Sequence, residues 1–91
     1  MPTKKQTKFW FTYILLCKDD SLYTGITNNL DKRMLSHQNG TGAKYTRSHG
    51  AVKFVYYKQH SNRQEASVHE AEIKKLPRKE KVNLIFKNIL S

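Results

Sequence analysis

Two strand-forming stretches set around a short break constrain this chain more than any other feature. Residues 9–16 carry Phe9, Trp10, Phe11, Tyr13 and Ile14, and residues 22–27 carry Leu22, Tyr23, Thr24, Ile26 and Thr27. Aromatic and β-branched side chains fit a pleated, half-buried surface, whereas Lys18, Asp19, Asp20 and Ser21 between the stretches form a turn. The segment reads as a β-hairpin. A turn centred near residues 18 and 19 brings Tyr13 and Tyr23 roughly opposite each other on one face, two phenols in one pocket. Gly25 marks either a bulge or a place where a backbone or ligand comes close. Tyrosines also pair across strands as plain packing, so the pair alone does not define a site.

Asn28 or Asn29 can cap a helix running through Leu30, Met34 and Leu35 to about Gln38, ended by Asn39 and Gly40. Residues 40–50, rich in Gly, Thr, Ser and basic side chains, read as a loop, and residues 52–57 as a third strand. Ser61 and Gln64 fit a capping box for a second helix that continues to Leu76, where Pro77 stops it. In a last helix Val82, Ile85, Phe86 and Ile89 follow the spacing of one buried stripe. The predicted order is β-β-α-β-α-α, an α+β domain with a three-stranded antiparallel sheet flanked by helices.

A chain of 91 residues reads as one domain, with residues 1–8 a flexible basic arm and the ordered part spanning 9–91. The single Cys17 excludes an internal disulfide, and no paired cysteines mark structural zinc. The longest apolar run falls far short of the roughly 18 residues that span a bilayer, and no signal-peptide pattern is present. A cytoplasmic protein is expected, a monomer or weak homodimer with no small-molecule cofactor. The net charge of +10 suits a polyanionic partner, nucleic acid first, although a basic surface also serves solubility alone. The basic residues are scattered and do not line one amphipathic helix, which argues against a membrane surface.

Three residues carry chemical promise beyond the tyrosines. Arg33 and His37 are spaced i, i+4 and project to one side of the first helix, where a phosphate could bridge them. Arg offers a planar donor fork, and His can donate a hydrogen bond or accept a proton near neutral pH. A solvated polar face is the plainer reading of that pair. Glu70 falls between Ala66 and Ile73 on the inward face of the second helix, while Glu65, Glu72 and Lys74 face outward. A carboxylate there needs a cation partner, or it binds a metal through oxygen.

Thr12-Tyr13-Ile14 and Tyr23-Thr24-Gly25 resemble the two short elements that name the GIY-YIG nucleases. Each has Thr at one position, but both tyrosines and the second glycine are in place. Arg33 matches an arginine eight residues after that glycine, His37 a position where the family carries Tyr or His, and residues 70–76 its metal-binding helix. Residues 42–47 and 73–76 resemble the small stand-alone bacterial branch. Ile26 stands where some repair members carry Lys, and Asn83 and Asn88 both fit the family's late asparagine.

The resemblance implies hydrolysis of a DNA phosphodiester with one divalent ion, Mg²⁺ or Mn²⁺, at Glu70. The expected catalytic residues are Tyr13, Tyr23, Arg33, His37 and Glu70. Tyr13 would be the general base, Tyr23 would orient water or phosphate, and Arg33 would stabilise charge on the phosphate. Tyrosinate chemistry predicts a rate rising towards alkaline pH; transfer of the Tyr13 proton to His37 is the other route. Lys44, Tyr45, Arg47, His49 and Lys74 are the expected DNA contacts, with single-stranded or branched DNA favoured. A non-catalytic nucleic-acid-binding module of the same fold is the main alternative, and a domain for acidic protein partners the weaker one.

Overall fold

The computed structural model describes residues 9–90, and the expected basic arm lies outside the described residues. β1 (Trp10–Cys17) and β2 (Leu22–Thr27) form the hairpin. α1 (Leu30–Asn39), α2 (Lys44–His49), β3 (Ala51–His60), α3 (Arg63–Lys74) and α4 (Arg78–Leu90) follow. The strands make one antiparallel sheet in the order β2-β1-β3, so β1 is central. Its consecutive residues Thr12, Tyr13, Ile14 and Leu15 are all buried, as a strand covered on both faces requires.

The expected α+β order holds, with α2 added where a loop was expected. At six residues α2 is too short for apolar periodicity to reveal. Tertiary bonds hold it: the Lys18 amide donates to the carbonyls of His49 at 3.2 Å and Gly50 at 2.8 Å. Gly50, at φ 77°, supplies the left-handed exit. β3 runs to His60, beyond the expected residue 57, because Lys58, Gln59 and His60 pair with Thr12, Phe11 and Trp10.

Local caps explain the helix starts. Asn29 caps α1, its side chain accepting from the Lys32 amide at 3.0 Å. The capping box of α3 sits one residue later than expected. Asn62, not Ser61, accepts from the Glu65 amide at 2.9 Å, while the Glu65 carboxylate accepts from the Ser61 amide at 3.1 Å. The wider side chain of Asn62 takes the cap, leaving Ser61 as the box's outer donor.

α3 lies over the face of the sheet that carries Thr12 and Ile14. Thr12 Oγ1 donates to the Ala66 carbonyl at 2.9 Å, and Ile14, Tyr56 and Ile73 form the core, flanked by Leu22, Val55, Leu84 and Ile85. The apolar stripe of α4 is only half used. Val82 and Ile85 are partly buried, but Phe86 and Ile89 are 58% and 65% exposed. α4 packs on β3, an edge strand, and among the described residues no further layer covers its outer apolar positions.

The opposite face of β1 carries Tyr13, whose strand partner is Gly25. The Tyr13 ring crosses directly over that glycine: a Cβ at Gly25 would stand 2.6 Å from the phenol oxygen and 2.8 Å from Cζ. Gly25→Ala must therefore displace a fully buried ring. The expected loss is about 1 to 3 kcal/mol, measured by urea unfolding. Unchanged stability would contradict this packing.

Candidate active site

Tyr13 projects from the middle of the central strand and has no exposed surface. Its phenol oxygen lies 2.8 Å from His37 Nε2 and accepts from Arg33 Nε at 3.3 Å. Arg33 and His37 reach the same oxygen because they stand one turn apart on α1, whose start is fixed by Asn29. The Tyr23 ring completes the group, with its centroid 6.3 Å from Tyr13 and 5.5 Å from His37. The tyrosines share a face, but they are diagonal and not opposite, since Tyr23 pairs with Leu15. That two-residue offset leaves Gly25 beneath the phenol.

Burial pushes the Tyr13 pKa above its ordinary value; the Arg33 bond and charge pull it back, while Tyr23 and Glu70 raise it. His37 is held down to about 4, first by burial and second by the Arg33 charge. At neutral pH the pair is a phenol facing a neutral imidazole. Arg33 is raised by its bond to Tyr13.

Glu70 joins this group through its field. Its side chain is 23% exposed and pairs with Lys74 Nζ at 3.4 Å, a lysine half in solvent. The inward position expected from helical spacing holds, as does the need for a cation partner. Among the described residues no three His, Cys, Asp or Glu side chains are placed to hold a metal ion together. One half-buried carboxylate fits a hard ion such as Mg²⁺, which keeps most of its waters, and not a zinc cage of imidazoles and thiolates.

The expected DNA contacts separate. Tyr45 stacks on Tyr23 at 5.7 Å and on His49 at 4.0 Å, and His49 pairs with Asp19 of the hairpin turn. Tyr45 and His49 thus extend the tyrosine pair as a ladder, with a face of Tyr45 already covered. Arg47 packs against Gly40 and lines a groove of about 440 Å³ with Lys18, His37 and Thr46. Lys44 is exposed, and Lys74 is tied to Glu70.

Two residues that support the site carry little sequence signal. The Thr46 hydroxyl lies 2.7 Å from His37 Nδ1. A Cβ at Gly42 would stand 2.7 Å from that nitrogen and 3.1 Å from the His37 backbone. Both lie in the segment whose composition reads as a loop; the pair of glycines around Thr41 was the available hint. Phe54 packs edge-on against Tyr13 at 5.0 Å.

The family model described as the GIY-YIG catalytic domain matches residues 9–83. A UPF0213 protein of Clostridium perfringens is 57% identical over 75 residues, covering 82% of this chain and 81% of that protein. One from Oceanobacillus iheyensis is 52% identical over 75 residues, covering 82% and 87%. Among solved structures, the solution NMR structure of a protein from E. faecalis is similar at TM-score 0.64 and 36% identity, covering 94% of this chain and 92% of that one. That of a UPF0213 protein from Bacillus halodurans gives TM-score 0.55 at 42% identity, covering 85% and 82%. The chain accordingly belongs to the GIY-YIG family, whose domain is of nuclease type and generally works with a divalent metal.

Proposed function

We propose that this protein is a metal-dependent DNA endonuclease in which Tyr13 is the general base and His37 receives the Tyr13 proton. The contact of 2.8 Å between the phenol and a neutral imidazole carries this reading. Water attacks phosphorus and gives its proton to the Tyr13 oxygen as the Tyr13 proton moves to His37 Nε2; the P–O bond to the leaving sugar oxygen then breaks. The leaving oxygen is protonated from solvent.

At rest the proton stays on Tyr13, because burial disfavours both tyrosinate and imidazolium. A bound phosphate changes that balance. It neutralises the Arg33 charge that depresses His37, and it draws the guanidinium from the covered phenol towards the substrate. Tyr23, beside both rings, orients water or phosphate. Glu70 would hold a divalent ion, which when bound stabilises negative charge on the leaving oxygen.

The substrate class we favour is single-stranded DNA or a single-stranded part of a branched molecule. Tyr13 is recessed, so the scissile phosphate must dip towards Arg33. A single strand bends there freely, whereas bending a duplex site costs about 1 to 6 kcal/mol. Lys44 and Arg47 supply positive charge for the flanking backbone, and the cytoplasm is the matching compartment. The Glu70–Lys74 ion pair favours a second reading, a binding module whose carboxylate is neutralised without metal.

Labelled single-stranded, duplex and branched oligonucleotides incubated with Mg²⁺, Mn²⁺ or EDTA decide between these readings. The endonuclease reading predicts ion-dependent cleavage, fastest on unpaired strands, lost roughly 100-fold or more in Glu70→Ala while DNA binding persists. Wild-type cleavage by Glu70→Ala would remove the metal role. Binding without cleavage under every ion would establish the binding module, and faster cleavage of duplex would refute the strand preference.

The low His37 pKa also has a consequence for stability that needs no substrate. Folded His37 titrates near about 4 against an ordinary 6.5, so between those values the unfolded chain binds the proton and the folded chain does not. Stability is complete above the unfolded pKa and falls as pH drops through this window, by roughly 3 kcal/mol in all. His60, also lowered by burial, adds in the same direction. Denaturant titrations of wild type and His37→Gln across the window isolate the His37 share; equal pH dependence in the two would contradict its buried, neutral state.

A further inference from the structure

We propose that Thr46 is a positioning residue: its hydroxyl, anchored on the Ala43 carbonyl, fixes His37 as the tautomer whose Nε2 is bare towards Tyr13. This rests on the proposed proton transfer from Tyr13 to His37, and it explains what prepares the acceptor.

The assignment follows from counting protons along a buried chain. A carbonyl oxygen only accepts, and that of Ala43 lies 2.9 Å from Thr46 Oγ1, so the threonine proton points there. Thr46 Oγ1 then has only lone pairs to offer its second partner, His37 Nδ1 at 2.7 Å, and Nδ1 must donate. A neutral imidazole has a single N–H. Nε2 is therefore a lone pair and accepts from the Tyr13 hydroxyl at 2.8 Å. The chain has one direction, from Tyr13 through His37 and Thr46 to Ala43.

The surroundings enforce that direction. Thr46 and His37 are at most 2% exposed, so water cannot substitute for a missing partner of Nδ1. The opposite tautomer would set the Nδ1 lone pair against those of Thr46 Oγ1. Gly42 lets Nδ1 come this close, since a Cβ there would clash with it. The Ala43 carbonyl also accepts the Arg47 amide at 3.1 Å, which places Thr46 in the first turn of α2. Proton transfer leaves the arrangement intact. Imidazolium still donates from Nδ1 to Thr46 while its new Nε2–H donates to the Tyr13 oxygen, which has taken the proton of the attacking water, so the Thr46 hydroxyl does not have to rotate.

The direct test is the nitrogen-15 NMR spectrum of the His37 ring in wild type, Thr46→Val and Thr46→Ser. Wild type should show a protonated Nδ1 and an unprotonated Nε2. Thr46→Val should lose that single tautomer and slow single-turnover cleavage by about 100-fold, as expected when acid–base catalysis is disabled. Thr46→Ser should restore both. A protonated Nε2 in wild type overturns the inference and needs no variant to fold. So does a Thr46→Val protein that keeps the wild-type tautomer. A Thr46→Val protein that loses the tautomer yet cleaves at the wild-type rate supports the role of Thr46 and refutes the transfer to His37.

Discussion

A phenol hydroxyl buried in the middle of a sheet is costly unless every hydrogen bond it can make is made. Tyr13 occupies such a position, and its needs organise the surrounding structure. Gly25 supplies the space for its ring, Arg33 donates to its oxygen and His37 Nε2 is its second hydrogen-bond partner. Because His37 is buried as well, it needs a partner of its own, which brings in Thr46 and with it α2. The bonds that make the fold tolerable are also the bonds that the proposed chemistry uses. Folding and the proposed catalysis therefore draw on the same few side chains, and a substitution at the site is expected to register in both.

Charge placement follows the same logic. A guanidinium beside a phenol and an imidazole favours tyrosinate but disfavours imidazolium, so in the free protein the two effects of Arg33 oppose each other. An anionic phosphate relieves the second effect. In the proposed mechanism the proton path is thereby coupled to the arrival of substrate. Farther out, Tyr23, Tyr45 and His49 stack in sequence and end on Asp19, which ties the hairpin turn to α2. The net charge of +10 spread along the chain gives a long-range attraction to polyanions without dictating this geometry.

Features governed by neighbouring residues were legible in the sequence. The hairpin, a cap at Asn28 or Asn29, the Gly40 exit at φ 79° and the stop at Pro77 depend on local backbone preferences, and the structure puts the cap on Asn29. Arg33 and His37 were legible as a pair because helical spacing alone sets their shared side, and Glu70 because periodicity placed it inward. What depends on distant contacts was not. α2 is too short to show a period and exists through bonds to Lys18 and His37; the end of β3 is set by β1; and the outer half of the α4 stripe is exposed although its spacing predicts burial. Thr46 was hidden for the same reason. A threonine in a polar stretch has no distinguishing pattern until the fold turns it towards an imidazole.

The central claim is that the Tyr13 proton passes to His37, and the pH dependence of single-turnover cleavage tests it most directly. If neutral His37 accepts the proton, the reactive form is the protonated phenol beside the bare imidazole, which already prevails at neutral pH. The rate should then fall as pH drops through the His37 titration of the substrate complex and stay level between about pH 7 and 9. A rise of about tenfold per pH unit across that neutral-to-alkaline range would show that Tyr13 reacts only after ionising on its own, and would contradict the account.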